Sequence, residues 1–274
     1  MERLVHVETE DGLALAGAAV LPQGEPNALA VVWIHGNTGV FHEYPYVLVA
    51  RALAARGYSV VLGNTRGYGA TNPVWNLRED RPVAGGSAWE LFEEAPVDVA
   101  AWVDAGAALA VEGVAVVGHS QGAAKAVLYA ADRRDERVRG VVLASPDLHG
   151  HWSELVDEAE RLVAEGRPDE LLPALMEAAW YRLSAANVVS RARVLGHVYE
   201  SVDRAPALAA VPQPLLAFFA ARDIGGQAEL EIIRANAAAS ATVETALLKG
   251  GDHVYTGAED DAAALIAGWL DRIP

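Results

Sequence analysis

A serine in a glycine-flanked pentapeptide has the clearest chemical potential in this sequence. Residues 118–122 read Gly-His-Ser-Gln-Gly and lie between a predicted strand and a predicted helix. In a strand-to-helix turn this tight, only glycine fits two residues before and two residues after the serine. The turn projects the Ser120 hydroxyl at the carboxyl end of the sheet, beside unpaired N–H groups at the helix start. We therefore predict a nucleophilic serine, with the Gln121 N–H as one donor to a developing oxyanion.

A nucleophilic serine needs a general base, and the order Ser, acid, His is expected after such a turn. Of eight histidines, only His149, His151, His197 and His253 follow Ser120. His253 comes after the last predicted strand and two glycines, which allow a loop to carry the imidazole over the sheet edge. We predict that His253 is the base and that the other three lie in a lid or at the surface.

The acid that orients the base has two candidates. Asp223 ends the strand predicted at 215–220 and precedes His253 by thirty residues, which is room for one helix and one strand. Asp147 ends the preceding strand and remains a rival, whereas Asp252 adjoins His253 and should point away. Both candidates lie where a triad acid could reach the base, and we favour Asp223.

The second oxyanion donor should come from the loop His-Gly-Asn-Thr-Gly at residues 35–39, after the strand predicted at 28–34. Glycines there allow backbone N–H groups to approach a carbonyl oxygen. The Asn37 N–H is the first candidate and the Thr38 N–H is the second. We expect His35 to be a structural side chain that holds this loop.

Strands alternate with helices over the first 147 residues, and this alternation predicts a mostly parallel sheet with right-handed crossovers. An Asp-Gly pair at 11–12 predicts a hairpin before it. Residues 149–205 contain no convincing strand and read as a helical insertion, with helices expected over 153–165 and 168–183. The alternation then resumes. We predict a core of residues 1–148 and 206–274 and a helical cap, or lid, of residues 149–205.

Composition excludes several classes of protein. The 274 residues contain no cysteine, so disulfides, thiolate zinc sites, iron–sulfur clusters and a cysteine nucleophile are excluded. A formal charge of −16 argues against binding to nucleic acid or to anionic membranes. We find no signal peptide, membrane span, phosphate loop or dinucleotide fingerprint, and His149 and His151 alone are too few for a metal site. We expect a cytoplasmic protein without cofactor or metal, and a homo-oligomer remains open.

Aromatic and basic residues in the insertion bear on the substrate. The aromatic candidates are Trp75, in a loop predicted over 70–86, and Trp152, Trp180, Tyr181 and Tyr199. They either line an apolar or aromatic site or form the buried faces of lid helices. The basic candidates are Arg182, Arg191, Arg193 and Arg204. We expect these arginines to lie on a solvated helix face and to pair with nearby glutamates, and we favour this over a role in recognising an anionic substrate.

These features together resemble the α/β-hydrolase superfamily. The resemblance rests on the loop at 35–39, the Arg-Gly-Tyr-Gly loop at 66–69, the serine turn, Asp223 and His253. Many members carry Asp, usually structural, where this chain has Asn64, and members insert a helical cap where residues 149–205 fall. Residues 252–256 and the lid pattern are similar to serine esterases that include fungal siderophore-ester hydrolases.

The resemblance implies a mostly parallel sheet flanked by helices, with the cap inserted after the sixth strand. It also implies a carboxylic-ester hydrolase that acts on a small molecule through a Ser-His-Asp triad and an acyl-enzyme. A carbon–carbon bond hydrolase or a peptidase with the same triad is an alternative, as is a non-catalytic ligand-binding protein. A haloalkane dehalogenase would need Asp at position 120.

Overall fold

A computed structural model describes residues 1–148, 153–173 and 181–273. The strands in these ranges are β1 Glu2–Glu8, β2 Ala14–Val20, β3 Leu29–Ile34, β4 Ser59–Gly63, β5 Asn72–Asn76, β6 Arg81–Gly85, β7 Gly113–His119, β8 Val138–Ala144, β9 Leu215–Phe219 and β10 Val243–Leu247. The α-helices are α1 Tyr44–Ala55, α2 Ala95–Ala107, α3 Gln121–Arg133, α4 Val156–Ala164, α5 Ala185–Val194, α6 Gln227–Asn236 and α7 Glu259–Leu270.

Eight of the strands form one sheet in the order β1-β2-β4-β3-β7-β8-β9-β10. The β1–β2 and β2–β4 pairs are antiparallel, and all other pairs in this sheet are parallel. The predicted α/β class with a mostly parallel sheet is therefore confirmed. The insertion follows β8, which is the sixth strand of this sheet along the chain.

The sheet is covered on both faces, which explains the unbroken apolar runs in its central strands. Helices α2, α3 and α6 pack on one face, and α1 and α7 pack on the other. Trp102 of α2 fits against β2 and β4 because Gly17 and Gly63 leave room for its ring; a Cβ at either would lie 2.5 Å or less from an indole carbon. Its Nε1–H donates to the Asn64 carbonyl at 2.7 Å, which fixes the end of β4.

Two local predictions between β4 and α2 are wrong. The loop expected over 70–86 contains the β5–β6 hairpin, whose turn holds Asp80 at φ 50°. The sequence also predicts a helix over residues 87–108, but the helical part begins with a 3-10 turn at Phe92–Glu94, followed by α2. Residues 86 and 87 donate their N–H groups to the Arg66 and Gly69 carbonyls, and the N–H groups of Trp89 and Glu90 donate to the Gly86 carbonyl, so this stretch forms a turn before the helix. Pro96 lies in the first turn of α2, where a missing N–H is tolerated.

The described parts of the insertion are mainly helical. The first predicted helix is found as a 3-10 turn at Ser153–Leu155 followed by α4, and Gly166 at φ +77° lies just beyond it. The helix expected over 168–183 is wrong in its described residues, because Leu171 pairs with Ser184 and the Leu172 N–H donates to the Leu183 carbonyl. Pro173 removes an N–H group that a continuous helix would use, whereas Pro168 lies in the first turn, where that loss is tolerated. Residues 174–180 lie outside the described part of the chain.

A buried ionic cluster joins the loop after β4 to α2 and to the N-terminal hairpin. The Arg66 guanidinium donates to Asp98 at 2.8 Å and to Glu94 at 2.7 Å, and it lies 2.9 Å from the Asp11 carboxylate. The Arg66 backbone N–H also donates to Asp98, at 2.7 Å. Asp98 is fully buried, so its charge depends on Arg66 for compensation.

His35 fixes the loop after β3 to the loop after β4. Its ring is fully buried, with Nδ1 2.8 Å from the Gly36 carbonyl and Nε2 accepting the Thr65 N–H at 3.0 Å. These partners require the neutral tautomer with hydrogen on Nδ1. Burial, together with the charge of Lys125, lowers the pKa of His35 from its ordinary value of 6.5 to about 4.

The Asp98→Ala variant should lose about 3–5 kcal/mol of unfolding free energy, because Arg66 would then be buried without its main partner. The matched variant Glu94→Ala removes an exposed partner of the same guanidinium and should lose less than about 1 kcal/mol. Urea denaturation followed by circular dichroism measures both. Equal losses in the two variants would contradict the assignment of Asp98 as the main partner.

Stability should fall as the pH is lowered from about 6.5 to about 4, because the unfolded chain protonates His35 in this window and the folded chain does not. The slope contributed by one such histidine is up to about 1.4 kcal/mol per pH unit. For the His35→Asn variant, the denaturation midpoint plotted against pH in this window should have a shallower slope than for wild type. This comparison of slopes does not depend on the absolute stability of the variant. His42→Asn, at an exposed position, should keep the wild-type slope; an unchanged slope in His35→Asn would disprove the assignment.

Candidate active site

The connection between β7 and α3 is a single residue, Ser120, in a strained conformation. Its φ of 55° and ψ of −124° lie where side chains other than glycine are rare. A Cβ added to Gly118 would lie 2.2 Å from the Gly122 carbonyl oxygen, and one added to Gly122 would lie 2.3 Å from the Ile34 carbonyl oxygen. Both glycines are therefore required sterically, which accounts for the spacing of the pentapeptide.

Ser120 opens into a cavity of about 110 Å³. The cavity is lined by Gly36, Asn37, Thr38, Gly39, Glu43, Tyr46, His119, Ser120, His253 and Val254. A Cβ at Gly36 would lie 2.7 Å from the Ser120 Cβ, so the loop after β3 packs directly against the serine. Among the described residues, the Ser120 hydroxyl has no hydrogen-bond partner. The cavity thus holds the predicted nucleophile, the predicted base and the predicted oxyanion loop.

His253 is hydrogen-bonded to Asp223, with Nδ1 2.7 Å from Oδ1. The Asp223 side chain has no exposed surface, and Oδ1 also accepts the Ile224 N–H at 2.7 Å. Burial alone would raise the pKa of Asp223, but hydrogen bonds from His253 and Ser145 outweigh it and hold the pKa below its ordinary value. With Nδ1 donating to an ionised carboxylate, the neutral imidazole keeps Nε2 as a proton acceptor.

The other two aspartates near the base have different partners. Asp147 accepts the Gln121 side-chain amide at 3.3 Å. Asp252 accepts the N–H groups of Val254 at 3.2 Å and Thr256 at 2.9 Å, which stabilises the turn that carries His253. Of the three candidate acids, Asp223 alone is hydrogen-bonded to the imidazole in the described part of the chain.

The two candidates for the second oxyanion donor differ in their hydrogen bonds. The Thr38 N–H donates to the Ser87 hydroxyl at 2.7 Å and is therefore occupied. The N–H groups of Asn37 and Gln121 have no partner within the described ranges, and both residues flank Ser120. The Asn37 side chain accepts a hydrogen bond from Tyr181 of the insertion at 2.7 Å.

His119, within the pentapeptide, is a site residue that sequence reasoning missed. Its Nε2 lies 2.6 Å from the His253 carbonyl and must donate, so Nδ1 accepts the Tyr46 hydroxyl at 2.8 Å. Burial, followed by the charge of His253, lowers the pKa of His119 to about 3, and the ring is neutral. His119 therefore ties the loop of His253 to the serine turn, and no signal in the sequence separates this role from a surface histidine.

Ser145, directly after β8, was also missed. Its hydroxyl donates to Asp223 Oδ2 and in turn accepts the Tyr255 hydroxyl, 2.8 Å away. Ser145 has a positive φ of 50°, which turns its side chain toward the carboxylate. The strand predicted before residue 145 ends close to both Ser145 and Asp147. The sequence indicates Asp147 as a candidate acid there, whereas Ser145 is the residue that hydrogen-bonds to Asp223.

Glu43 adds a second carboxylate to the cavity. It lies at the start of α1, is half-buried, and lines the same space as Ser120 and His253. Burial raises its pKa, although the Val40 N–H and the charge of His253 oppose this. Glu43 therefore adds to the polar groups that line the cavity around Ser120 and His253.

The aromatic candidates lie in different environments. Trp75 lies in the β5–β6 hairpin, is 46% exposed, and does not line the cavity, and Tyr199 is buried in the hydrophobic core. Tyr181 contacts Asn37, while His197 meets Ser201 at 2.8 Å. His149, His151, Trp152 and Trp180 lie outside the described residues. Neither Trp75 nor Tyr199 lines the cavity at Ser120, and the burial of Tyr199 matches the alternative of a buried face.

Of the four arginines, Arg193 shows the predicted combination of an exposed side chain and a glutamate partner. Arg193 is exposed and pairs with Glu93, Arg204 donates to the Arg193 carbonyl, and Arg182 donates to the Leu172 carbonyl at 2.8 Å. Arg191 is different, because it is only 2% exposed. The expectation of a solvated side chain is wrong at this position.

Within residues 1–148, 153–173 and 181–273, no three histidine, aspartate or glutamate side chains cluster closely enough to hold a metal ion. Helices in the same ranges lack the length and apolar character needed to cross a bilayer.

Solved structures with similar folds cover almost the whole chain. Est1E from Butyrivibrio proteoclasticus with bound ferulic acid is 18% identical, with 97% of each chain covered and a TM-score of 0.66. The esterase domain of a Rhodothermus marinus protein is 18% identical, with 100% and 99% covered and a TM-score of 0.63. A thermostable carboxyl esterase from Bacillus coagulans in complex with glycerol is 13% identical, with 99% and 98% covered and a TM-score of 0.73. At these identities the likeness concerns the fold.

No curated protein is significantly similar to the chain in sequence. A family model for the alpha/beta hydrolase fold matches residues 30–174, which is more than half of the chain and includes β3, the serine turn and the start of the insertion. Together with the sheet order and the strained serine turn, this match shows that the chain belongs to the α/β-hydrolase fold family.

Proposed function

We propose that the protein is a serine hydrolase that cleaves carboxylic esters of small molecules through Ser120, His253 and Asp223. The observation that carries the proposal is the 2.7 Å bond between His253 and a buried, ionised Asp223, in a cavity shared with a strained Ser120. A serine, a base and an acid that orients the base are the components of acyl transfer by a triad.

In the proposed reaction, Ser120 Oγ attacks the ester carbonyl carbon while His253 Nε2 takes the hydroxyl proton. Asp223 stabilises the imidazolium that forms, and the N–H groups of Asn37 and Gln121 stabilise the oxyanion. The C–O bond to the alcohol breaks, and His253 returns the proton to the leaving alkoxide. Water, deprotonated by His253, then attacks the acyl-enzyme, releasing the acid and restoring Ser120.

Esters are the proposed substrate class because an alkoxide leaves more readily than an amine. Two of the similar structures are named as esterases, which favours the same class, and a third has ferulic acid bound, which favours a substrate with an apolar or aromatic part. A peptidase or a carbon–carbon bond hydrolase would use the same residues, and a ligand-binding protein would keep the cavity without turnover. A substrate panel separates these outcomes.

We also propose that residues 149–205 form a cap over this cavity. Helices α4 and α5 share a small hydrophobic cluster of their own. Tyr181 reaches Asn37 at the cavity, so the insertion lies against the predicted oxyanion loop.

The identity of the nucleophile can be tested by labelling and by substitution. A fluorophosphonate probe should label wild-type protein once, at Ser120, and Ser120→Ala should abolish labelling and reduce ester turnover by at least about 10³-fold. Intact mass, peptide mapping and hydrolysis of p-nitrophenyl esters measure these changes. Ser153→Ala, at an exposed position, is the control and should behave as wild type. Undiminished turnover by folded Ser120→Ala would refute the assignment.

Two matched substitutions distinguish the two candidate acids. Asp223→Asn should lower kcat by about 10³–10⁴-fold, because the amide cannot hold the imidazole in the required tautomer or stabilise its cation. Asp147→Asn keeps an oxygen acceptor for Gln121 and should lower kcat by less than about tenfold. Steady-state kinetics on the same ester compare the two. A larger loss in Asp147→Asn would reverse the assignment.

A further inference from the structure

Arg191, on α5 of the insertion, contacts both residues of the proposed oxyanion hole. Its Nη1–H donates to the Gln121 side-chain oxygen at 2.9 Å, and its Nη2–H donates to the Asn37 side-chain oxygen at 3.4 Å. Nη2 also donates to the Ser87 carbonyl at 3.2 Å, and Nε donates to Asn187 at 2.7 Å. One guanidinium therefore connects the loop after β3 with the first residue of α3.

The position of this guanidinium is fixed by the core. Asn187, one turn earlier on α5, donates to the carbonyls of Ser87 at 3.2 Å and Glu90 at 2.6 Å. The Arg191 guanidinium lies over the Phe92 ring at 5.2 Å from its centroid. With 2% exposure it is enclosed by these contacts, so in this arrangement it contacts the walls of the site and does not face a substrate.

The geometry of arginine makes it suited to this role. The guanidinium is a rigid planar fork, so two acceptors bound to its two terminal nitrogens are held at a defined separation. Here the acceptors are the side chains of Asn37 and Gln121, whose own backbone N–H groups have no partner in the described ranges and flank Ser120. Fixing these side chains restrains the backbone that presents the two donors.

We propose that Arg191 is a positioning residue that sets the oxyanion hole from the insertion, by holding Asn37 and Gln121 at the spacing that the tetrahedral intermediate requires. This inference rests on the proposed function. Displacing an oxyanion donor by a fraction of an ångström weakens a bond that matters most in the transition state. Loss of Arg191 should therefore lower kcat far more than it raises KM.

Arg191→Lys is the informative substitution. Lysine keeps a positive charge near the buried Glu90, whose Oε1 lies 4.0 Å from the Arg191 guanidinium and whose other oxygen pairs with Lys125 at 2.6 Å. It lacks the fork, however, and cannot hold both amide oxygens at once. Arg193→Lys, two residues away on the same helix but exposed, makes the same chemical change without reaching the site.

The experiment compares wild type with the Arg191→Lys and Arg193→Lys variants. Each protein is assayed for hydrolysis of a p-nitrophenyl ester and for binding of an aryl boronic acid, which adds to a serine hydroxyl as a tetrahedral anion. In Arg191→Lys, kcat should fall about 10–100-fold with KM within about threefold of wild type. Boronate affinity should fall in parallel with kcat/KM. A merely structural role would lower the thermal midpoint and leave kcat per titrated active site unchanged.

A double-mutant cycle provides a second test that does not depend on one variant's stability. Asn37→Ala keeps the backbone donor but removes one acceptor of the fork, so the losses from Asn37→Ala and Arg191→Lys should be less than additive. Full additivity, or wild-type kcat and boronate affinity in Arg191→Lys, would overturn the inference while leaving the proposed function intact. Wild-type protein that is neither labelled at Ser120 nor active on esters would instead remove the proposed function, and this inference with it.

Discussion

The site depends on the close approach of three backbone segments around Ser120. The end of β3, the end of β7 and the start of α3 meet where glycines at 36, 118 and 122 leave no room for a Cβ. Ser120 keeps its positive φ because its N–H donates to the Ala144 carbonyl at 2.9 Å and the parallel strands on either side hold the turn. A strained residue persists only when its surroundings determine its conformation, and here the parallel sheet does so.

Around this turn, a buried carboxylate stays charged while two buried histidines stay neutral. Asp223 stays ionised because its carboxylate receives hydrogen bonds from His253, Ser145 and backbone N–H groups, which outweigh its burial. His35 and His119 are buried without a carboxylate partner and remain neutral, so each serves as a fixed hydrogen-bonding bridge between loops. Among the three histidines, His253 alone lies beside an acid, and this is what suits it to transfer a proton.

The parallel core could be predicted from the sequence because its signals are local. Apolar runs mark strands covered on both faces, and the glycines around Ser120 mark a turn that other residues cannot form. The place of Asp223 at a predicted strand end, one helix and one strand before His253, favours it as the acid, and in the structure its carboxylate is hydrogen-bonded to His253. The Thr38 alternative lost support through a contact with Ser87, 49 residues away, which no local pattern reveals.

The insertion was harder to interpret because its structure depends on contacts with the core. The segment at 168–173 looked helical by periodicity, but its N–H and carbonyl groups pair with residues 183–186. Arg191 follows a pattern typical of an exposed helix face, yet α5 docks on residues 87–93 and buries that side chain. Helical periodicity specifies which residues share a face, and it does not specify whether solvent or a second domain covers that face.

The core and the insertion contribute different kinds of residue to the site. The proposed reacting groups lie at the ends of core strands or in loops beside them, where the sheet holds them; they are Ser120, His253 and Asp223. From the described part of the insertion, Tyr181 and Arg191 bond to side chains of the proposed oxyanion loop and of the serine turn. Sequence changes in the insertion can therefore change the residues that border the cavity while the core keeps Ser120, His253 and Asp223 in place. The proposed positioning role requires that Arg191 and Asn187, which anchors it, are retained.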